Sequence, residues 1–235
     1  MTEPIIEFKD FSFKYNSQAE PTLKNINLKI NKGEKILLAG PSGSGKSTIG
    51  RCLNGLIPNI NQGEVKGKCL VNGKDITSTS LFDFSFTTST ILQDADSQFI
   101  GLTVGEDIAF ALENDCQPKD KMHQTVNQWA DELKIKELLT QSPQSISGGQ
   151  KQIVALTGVL VDESPILLFD EPLANLDPAS GLKTMAIIDK IQKELNATVI
   201  IIEHRVEEVL SQPIDRIILV NEGTIVADQP TNQLL

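Results

Sequence analysis

Apolar and polar positions alternate through the first thirty residues, with Phe11, Phe13 and Tyr15 in one phase and Ile26, Leu28 and Ile30 in another. A period of two marks half-buried, antiparallel strands. Residues 35–39 then read as a buried strand entering a Gly-rich turn, and residues 47–56 suit a helix. Asn72-Gly73 is a two-residue hairpin signal. After Gln93 the period changes: Met122, Val126, Trp129, Ala130 and Leu133 fall on one helical face, and residues 104–113 are also helix-like. Strand and helix alternate again from residue 166: a strand at 166–169, a helix opened by Pro178, a strand at 199–202, a short helix, and a strand at 217–220. The expected fold class is α/β with a mixed or parallel sheet, an N-terminal antiparallel β subdomain and a helical insert. Residues 1–93 and 163–235 would form the core and 94–162 the insert.

Composition narrows the function classes. At 235 residues the chain can bury the core of one α/β domain. No apolar run approaches the length that crosses a bilayer, and no basic segment leads into an apolar one at the N-terminus, so neither a span nor a signal peptide is expected. The net charge is −10, from 31 acidic and 21 basic residues, with no basic stripe of the kind duplex binding uses. Cys52, Cys69 and Cys116 lack metal-ligand spacing and read as inert thiols.

Three segments carry chemistry. Gly40-Pro41-Ser42-Gly43-Ser44-Gly45-Lys46-Ser47 is a complete phosphate loop between a strand and a helix that Thr48 continues. Its glycines let backbone N–H groups curl around an anion at a helix N-terminus. Lys46 can reach the β- and γ-phosphates of a nucleotide, and the Ser47 hydroxyl can ligate Mg²⁺. The apolar run at 166–169 ends in Asp170 and Glu171. Asp170 suits Mg²⁺, and Glu171 suits orienting or deprotonating the attacking water. Ser145-Ile146-Ser147-Gly148-Gly149-Gln150, before an apolar helix at 153–161, is a second Gly-rich helix start and a second anion site.

This last segment closely resembles the LSGGQ signature of the ABC ATPases, with Ile146 where Leu is usual. The resemblance extends along essentially the whole chain. Tyr15 resembles the aromatic that stacks on adenine, although a lone aromatic in an alternating strand also suits plain packing. Gln93 resembles the glutamine that contacts Mg²⁺ or water, with Gln98 as a nearby competitor. Asn175-Leu176-Asp177 resembles the loop that lies across the dimer interface. His204 resembles the histidine that senses the γ-phosphate. The resemblance implies catalytic roles for Lys46, Gln93, Glu171 and His204, and a head-to-tail pair of ATPase domains. Ser147, Gly148, Gly149 and Gln150 would then act on the partner's nucleotide.

Residues 53–58, 93–99, 173–180 and 203–209 are similar to the energy-coupling-factor importers, which take up vitamins, vitamin precursors or transition-metal ions. That likeness implies a transmembrane coupling protein, a substrate-binding membrane protein and a place on the inner face of the cell membrane. Asp94, Asp96 and Phe99 are candidates for contact with the coupling protein, or else solvated turn residues and core. Such ATPases generally continue past the point where this chain stops, which suits the N-terminal half of a longer, tandem protein. A soluble ABC ATPase acting on DNA or ribosomes is the chief rival, and it would carry a long coiled-coil insertion, duplicated cassettes or basic arms; another ABC transporter branch is the second alternative.

Overall fold

A computed structural model of the chain describes residues 4–91, 98–174 and 176–234. Among them the strands form two sheets. The first is antiparallel, in the order β2-β1-β4-β5, from β1 (Ile6–Tyr15), β2 (Leu23–Ile30), β4 (Gly63–Val71) and β5 (Lys74–Asp75). Asn72 and Gly73, both with positive φ, close the β4–β5 hairpin. The second follows the order β10-β9-β3-β8-β7-β6. Its strands are β3 (Lys35–Ala39), β6 (Thr88–Ile91), β7 (Ile166–Asp170), β8 (Thr198–Ile202), β9 (Arg216–Asn221) and β10 (Thr224–Pro230). All its pairings are parallel except β9 with β10.

The central strands are buried on both faces, which explains their unbroken apolar runs. Ile36, Leu38, Ile166, Leu168, Ile200 and Ile202 point into a core shared with the first sheet and α1 (Lys46–Leu53). Leu37, Ala39, Leu167, Phe169, Val199 and Ile201 point into a second core. That core also takes α4 (Val104–Asn114), α5 (Lys119–Glu132), α6 (Gly148–Leu160) and α7 (Pro178–Leu195). Thr103 caps α4 through a reciprocal box with Glu106. No helix of the described residues is long and apolar enough to cross a membrane.

One expectation is corrected. The helix expected over 47–56 ends at Leu53, and a separate short helix, α2 (Leu56–Asn59), follows. Gly55 lies between them at φ 74°, and a Cβ there would meet the Phe84 ring at 2.6 Å. Phe84 belongs to the short helix α3 (Leu81–Ser85), which the apolar pattern does not announce. Strand β6 is also unannounced, because its sequence is mostly hydroxyl residues. Thr88 donates to the carbonyl of Leu53 and Ser89 to Ser164, so these side chains are buried without an apolar signature.

A buried ion pair locks α7 to β3. Lys35, 3% exposed, donates to Asp189, which also accepts from Lys193. Burial pushes the Asp189 carboxyl up, but hydrogen bonds from Lys193 and Lys35 outweigh it, and the net shift is downward. The stabilisation is therefore present above the ordinary aspartate range and lost as pH falls through the lowered value. Asp189→Ala would strand the Lys35 ammonium, and removing one partner of a buried pair costs roughly 3–5 kcal/mol. Denaturant unfolding checks this, and a loss under about 1 kcal/mol, the exposed-pair range, would show that the pair is not a lock.

Candidate active site

Parallel pairing brings the C-terminal ends of β3, β8 and β7 to one edge of the sheet, where ligands of open α/β sheets bind. The phosphate loop leaves β3 at this edge. Gly40, Gly43 and Gly45 have φ of 145°, 76° and 109°. A Cβ on Gly40 would lie 2.1 Å from the carbonyl oxygen of Val220, so the loop is pinned against β9. Lys46 opens α1 and folds back, its ammonium donating to the carbonyls of Gly40 (2.8 Å) and Pro41 (2.9 Å). Burial pulls its pKa below the usual lysine value, while Glu171 and Asp170 oppose that shift. The Ser44 hydroxyl is buried and has no hydrogen-bond partner among the described residues.

Asp170 and Glu171 stand at the end of β7. Asp170 pairs in register with Ile202, and the Glu171 N–H donates to the carbonyl of Ile202 at 2.8 Å. Glu171 has φ 52°, a left-handed conformation uncommon for a non-glycine residue and frequent at functional sites. Its Oε1 lies 3.3 Å from Nε2 of His204, which follows β8. Burial raises the Asp170 carboxyl, and the neighbouring Glu171 charge adds to it; Arg51, Lys46 and a hydrogen bond from Ser47 pull the other way. The fold thus brings together Lys46, Ser47, Asp170, Glu171 and His204.

The remaining expected residues are placed unevenly. Tyr15 is half-buried, edge-on to Phe13 at 4.7 Å, and its hydroxyl meets Thr48 Oγ1 (3.2 Å) and accepts from Arg51 (3.2 Å). Part of this side chain is thus spent tethering β1 to α1. Asp177 caps α7, accepting from the N–H groups of Ala179 and Ser180 and from the Ser180 hydroxyl. Ser147 caps α6 in a reciprocal box with Gln150. Among the described residues a Cβ on Gly148 or Gly149 would meet nothing within 4 Å, so packing against them does not demand glycine there. Gln93, Asp94, Asp96 and Asn175 lie outside the described residues. Phe99 packs half-buried against the main core, and it is Ile100 and Leu102 that stand exposed.

Sequence reasoning gave no role to Glu203, Arg205 or Gln152. Glu203 is 2% exposed and accepts from the N–H groups of Leu173, His204 and Arg205. Arg205 donates to the carbonyls of Leu173 and Leu176. Gln152 Nε2 donates to the carbonyl of Pro172 at 3.0 Å. The visible signal was a carboxylate and a guanidinium flanking the one histidine at a strand end.

These residues fit a magnesium nucleotide. The buried, unpartnered Ser44 hydroxyl and the desolvated Lys46 ammonium suit phosphate oxygens, and the Ser47–Asp170 pair offers the hard oxygen ligands Mg²⁺ prefers. No cluster of three or more metal-ligating side chains exists among the described residues, so phosphates and water would complete the shell. Fold and site together define a phosphate-loop nucleotide hydrolase.

Comparison with known proteins takes this further. The ABC transporter family profile matches residues 23–174, and the chain belongs to that family as an ATP-binding, ATP-hydrolysing domain. It is 98% identical over its whole length to an ABC transporter ATP-binding protein of Lactobacillus johnsonii, and 60% identical over 99% of its length to one of Streptococcus mutans. The chain spans 41% and 42% of those two proteins. Its structure also matches cbiO1 from Clostridium perfringens, described as part of the ABC transporter complex cbiONQ. The TM-score is 0.88 at 28% identity, covering 99% of this chain and 90% of that one.

The raised Asp170 value predicts a pH dependence. If Asp170 holds Mg²⁺, protons would compete for this carboxylate, so affinity should fall as pH falls, beginning above the ordinary aspartate value of about 3.9. Titration calorimetry of Mg²⁺–ATP should show wild type binding more tightly than Asp170→Asn at neutral pH, with the gap narrowing on acidification. A gap that stays constant down to about pH 4 would contradict this placing of the metal.

Proposed function

We propose that the chain is the ATPase motor of an importer of the energy-coupling-factor type, driving uptake of a vitamin, a vitamin precursor or a metal ion. The observation that carries the hydrolytic part is the Glu171–His204 pair, 3.3 Å apart, beside Lys46 and Asp170. Lys46 and the loop amides bind the phosphates, and Ser47 and Asp170 hold Mg²⁺, which supplies charge neutralisation when bound. Glu171 takes a proton from the attacking water, and His204 senses the γ-phosphate. Gln93 is assigned to Mg²⁺ or water. Tyr15 is assigned to the adenine, with its hydroxyl held by Thr48 and Arg51.

Ser147 to Gln150 serve the nucleotide of a second ATPase domain, with Asp177 near the shared interface. The open space around Gly148 and Gly149 supports this, since glycine there suits close approach by another surface. The second domain is another copy, a related chain or the remainder of a longer polypeptide. The segment 94–162 is a helical subdomain that carries this signature.

A groove lined by Leu56, Leu81, Gln98, Ala111 and Val159 separates α3 from α4 and α6. Asp162 lies in it, its carboxyl raised by burial and by Asp115. Phe82 and Phe86 pair edge-to-face at 5.1 Å on α3, 66% and 47% exposed. Exposed aromatics beside a largely apolar and neutral groove suit the apolar face of an amphipathic cytoplasmic helix of a transmembrane coupling protein that also carries the substrate-binding membrane protein. The motor then sits on the inner face of the cell membrane.

Paired variants of the assembled transporter in vesicles test this reading. Glu171→Gln should retain ATP binding and assembly while hydrolysis falls about 10²- to 10⁴-fold and uptake stops. Phe82→Asp with Phe86→Asp should show the reverse, hydrolysing ATP but failing to co-purify with membrane partners. Wild-type hydrolysis by Glu171→Gln would remove the base assignment, and normal assembly of the double variant would remove the docking surface.

A further inference from the structure

We infer that Glu203, Arg205 and Glu208 form a positioning latch that holds Glu171 and His204 in working register. The inference rests on the catalytic reading of that pair given above. None of the three latch residues touches the reacting atoms; they act by joining the turn after Glu171 to the loop that carries His204.

Glu203 spans both segments with one carboxylate. Its Oε2 accepts from the N–H of Leu173 at 3.1 Å, and its Oε1 accepts from the N–H groups of His204 (2.7 Å) and Arg205 (3.2 Å). Arg205 closes the loop from its own side. Its Nη1 donates to the carbonyls of Leu173 (2.5 Å) and Leu176 (2.8 Å), and its Nε and Nη2 donate to Glu208 at 2.7 and 2.5 Å. Leu173 is therefore gripped at its N–H by Glu203 and at its carbonyl by Arg205. Glu171, two residues earlier, is fixed to Ile202 through its N–H. The turn cannot shift against His204 without breaking charge-assisted hydrogen bonds in a buried setting.

Ending a strand does not require a buried charge. A serine or threonine hydroxyl could cap one or two N–H groups without desolvating a carboxylate. What the carboxylate adds is three acceptor contacts divided between two loops. The neighbouring helix packs closely on the same device: a Cβ on Gly181 would lie 2.4 Å from Oε2 of Glu208, so a methyl there would displace that carboxylate. Gly181 sits inside α7, where nothing about its φ demands glycine. The latch also reaches Leu176, next to the Asp177 cap, so it ties the start of α7 to the catalytic pair.

The test is steady-state ATP hydrolysis by the purified protein, with kcat and KM separated and melting temperature recorded. Arg205→Lys keeps the charge but loses the planar fork, and Glu203→Gln loses an acceptor on one side. Both should lower kcat, on the order of 10²-fold for a misplaced pair, with KM for ATP unchanged. Gly181→Ala reaches the same network from α7: its methyl displaces Glu208, so kcat should fall by more than the recorded change in melting temperature accounts for. Added to His204→Ala, Arg205→Lys should cost nothing further, because the latch works through that pair. Wild-type kcat in these variants, losses that only follow the unfolded fraction, or a full additional loss in the double variant would overturn the latch. Wild-type hydrolysis by Glu171→Gln would remove the catalytic reading and the latch together; if Glu171→Gln is inactive and the latch variants are not, the latch alone fails.

Discussion

The in-register parallel pairing of β3, β8 and β7 is the constraint on which the rest depends. Lys35 stands opposite Val199 and Ile166 opposite Thr198, so Ala39, Ile202 and Asp170 end close to one level. Each strand then delivers a different chemical group to the same edge: the phosphate loop, His204 and the two carboxylates. A one-residue slip of β7 would invert its faces, sending Leu168 toward the wrong core and Glu171 away from His204. The two-faced burial of Ile36, Leu37, Leu167, Leu168, Ile200 and Ile201 penalises such a slip. Apolar packing thus sets the geometry of the polar site.

That geometry concentrates opposed charges in a partly desolvated place. Lys46 is held below and Asp170 above their ordinary values, each mainly by burial. Such groups are primed for a ligand that restores what burial removes, and a magnesium nucleotide brings both anionic and cationic charge. Glu171, left-handed and beside His204, is kept in an uncommon conformation by contacts around it rather than by its own preference. The Glu203–Arg205 network bonds the turn that follows Glu171 to the loop that carries His204.

Much of this was legible in the sequence because it depends on order and local pattern. The phosphate loop, the apolar run ending in Asp170-Glu171, the Gly-rich start of α6 and the histidine after β8 all lie where periodicity and motif spacing put them. What could not be read depends on contacts between distant segments. Phe84, about thirty residues further on, leaves no room for a Cβ at Gly55, where the chain breaks. Thr88 and Ser89 are buried through hydrogen bonds to Leu53 and Ser164, so β6 carries no hydrophobic signal. The tether from Tyr15 to Thr48 and Arg51, and the packing of Phe99 on the core, likewise involve partners no local pattern names. Glu203 looked like one more acidic residue until the fold surrounded it with N–H donors.

The central claim is that each working site is composite, with the phosphate loop of one domain facing the Ser147–Gln150 helix start of another. Complementation measures this directly. One preparation carries Lys46→Ala and the other Gly149→Glu, a position with room for a side chain inside its own chain. Each should be inactive alone. Mixed under conditions where light scattering shows pairing, they should recover ATP hydrolysis, because one site per mixed pair joins an intact loop to an intact helix start. Paired domains that stay inactive when mixed, or a Gly149→Glu protein fully active on its own, would contradict the account.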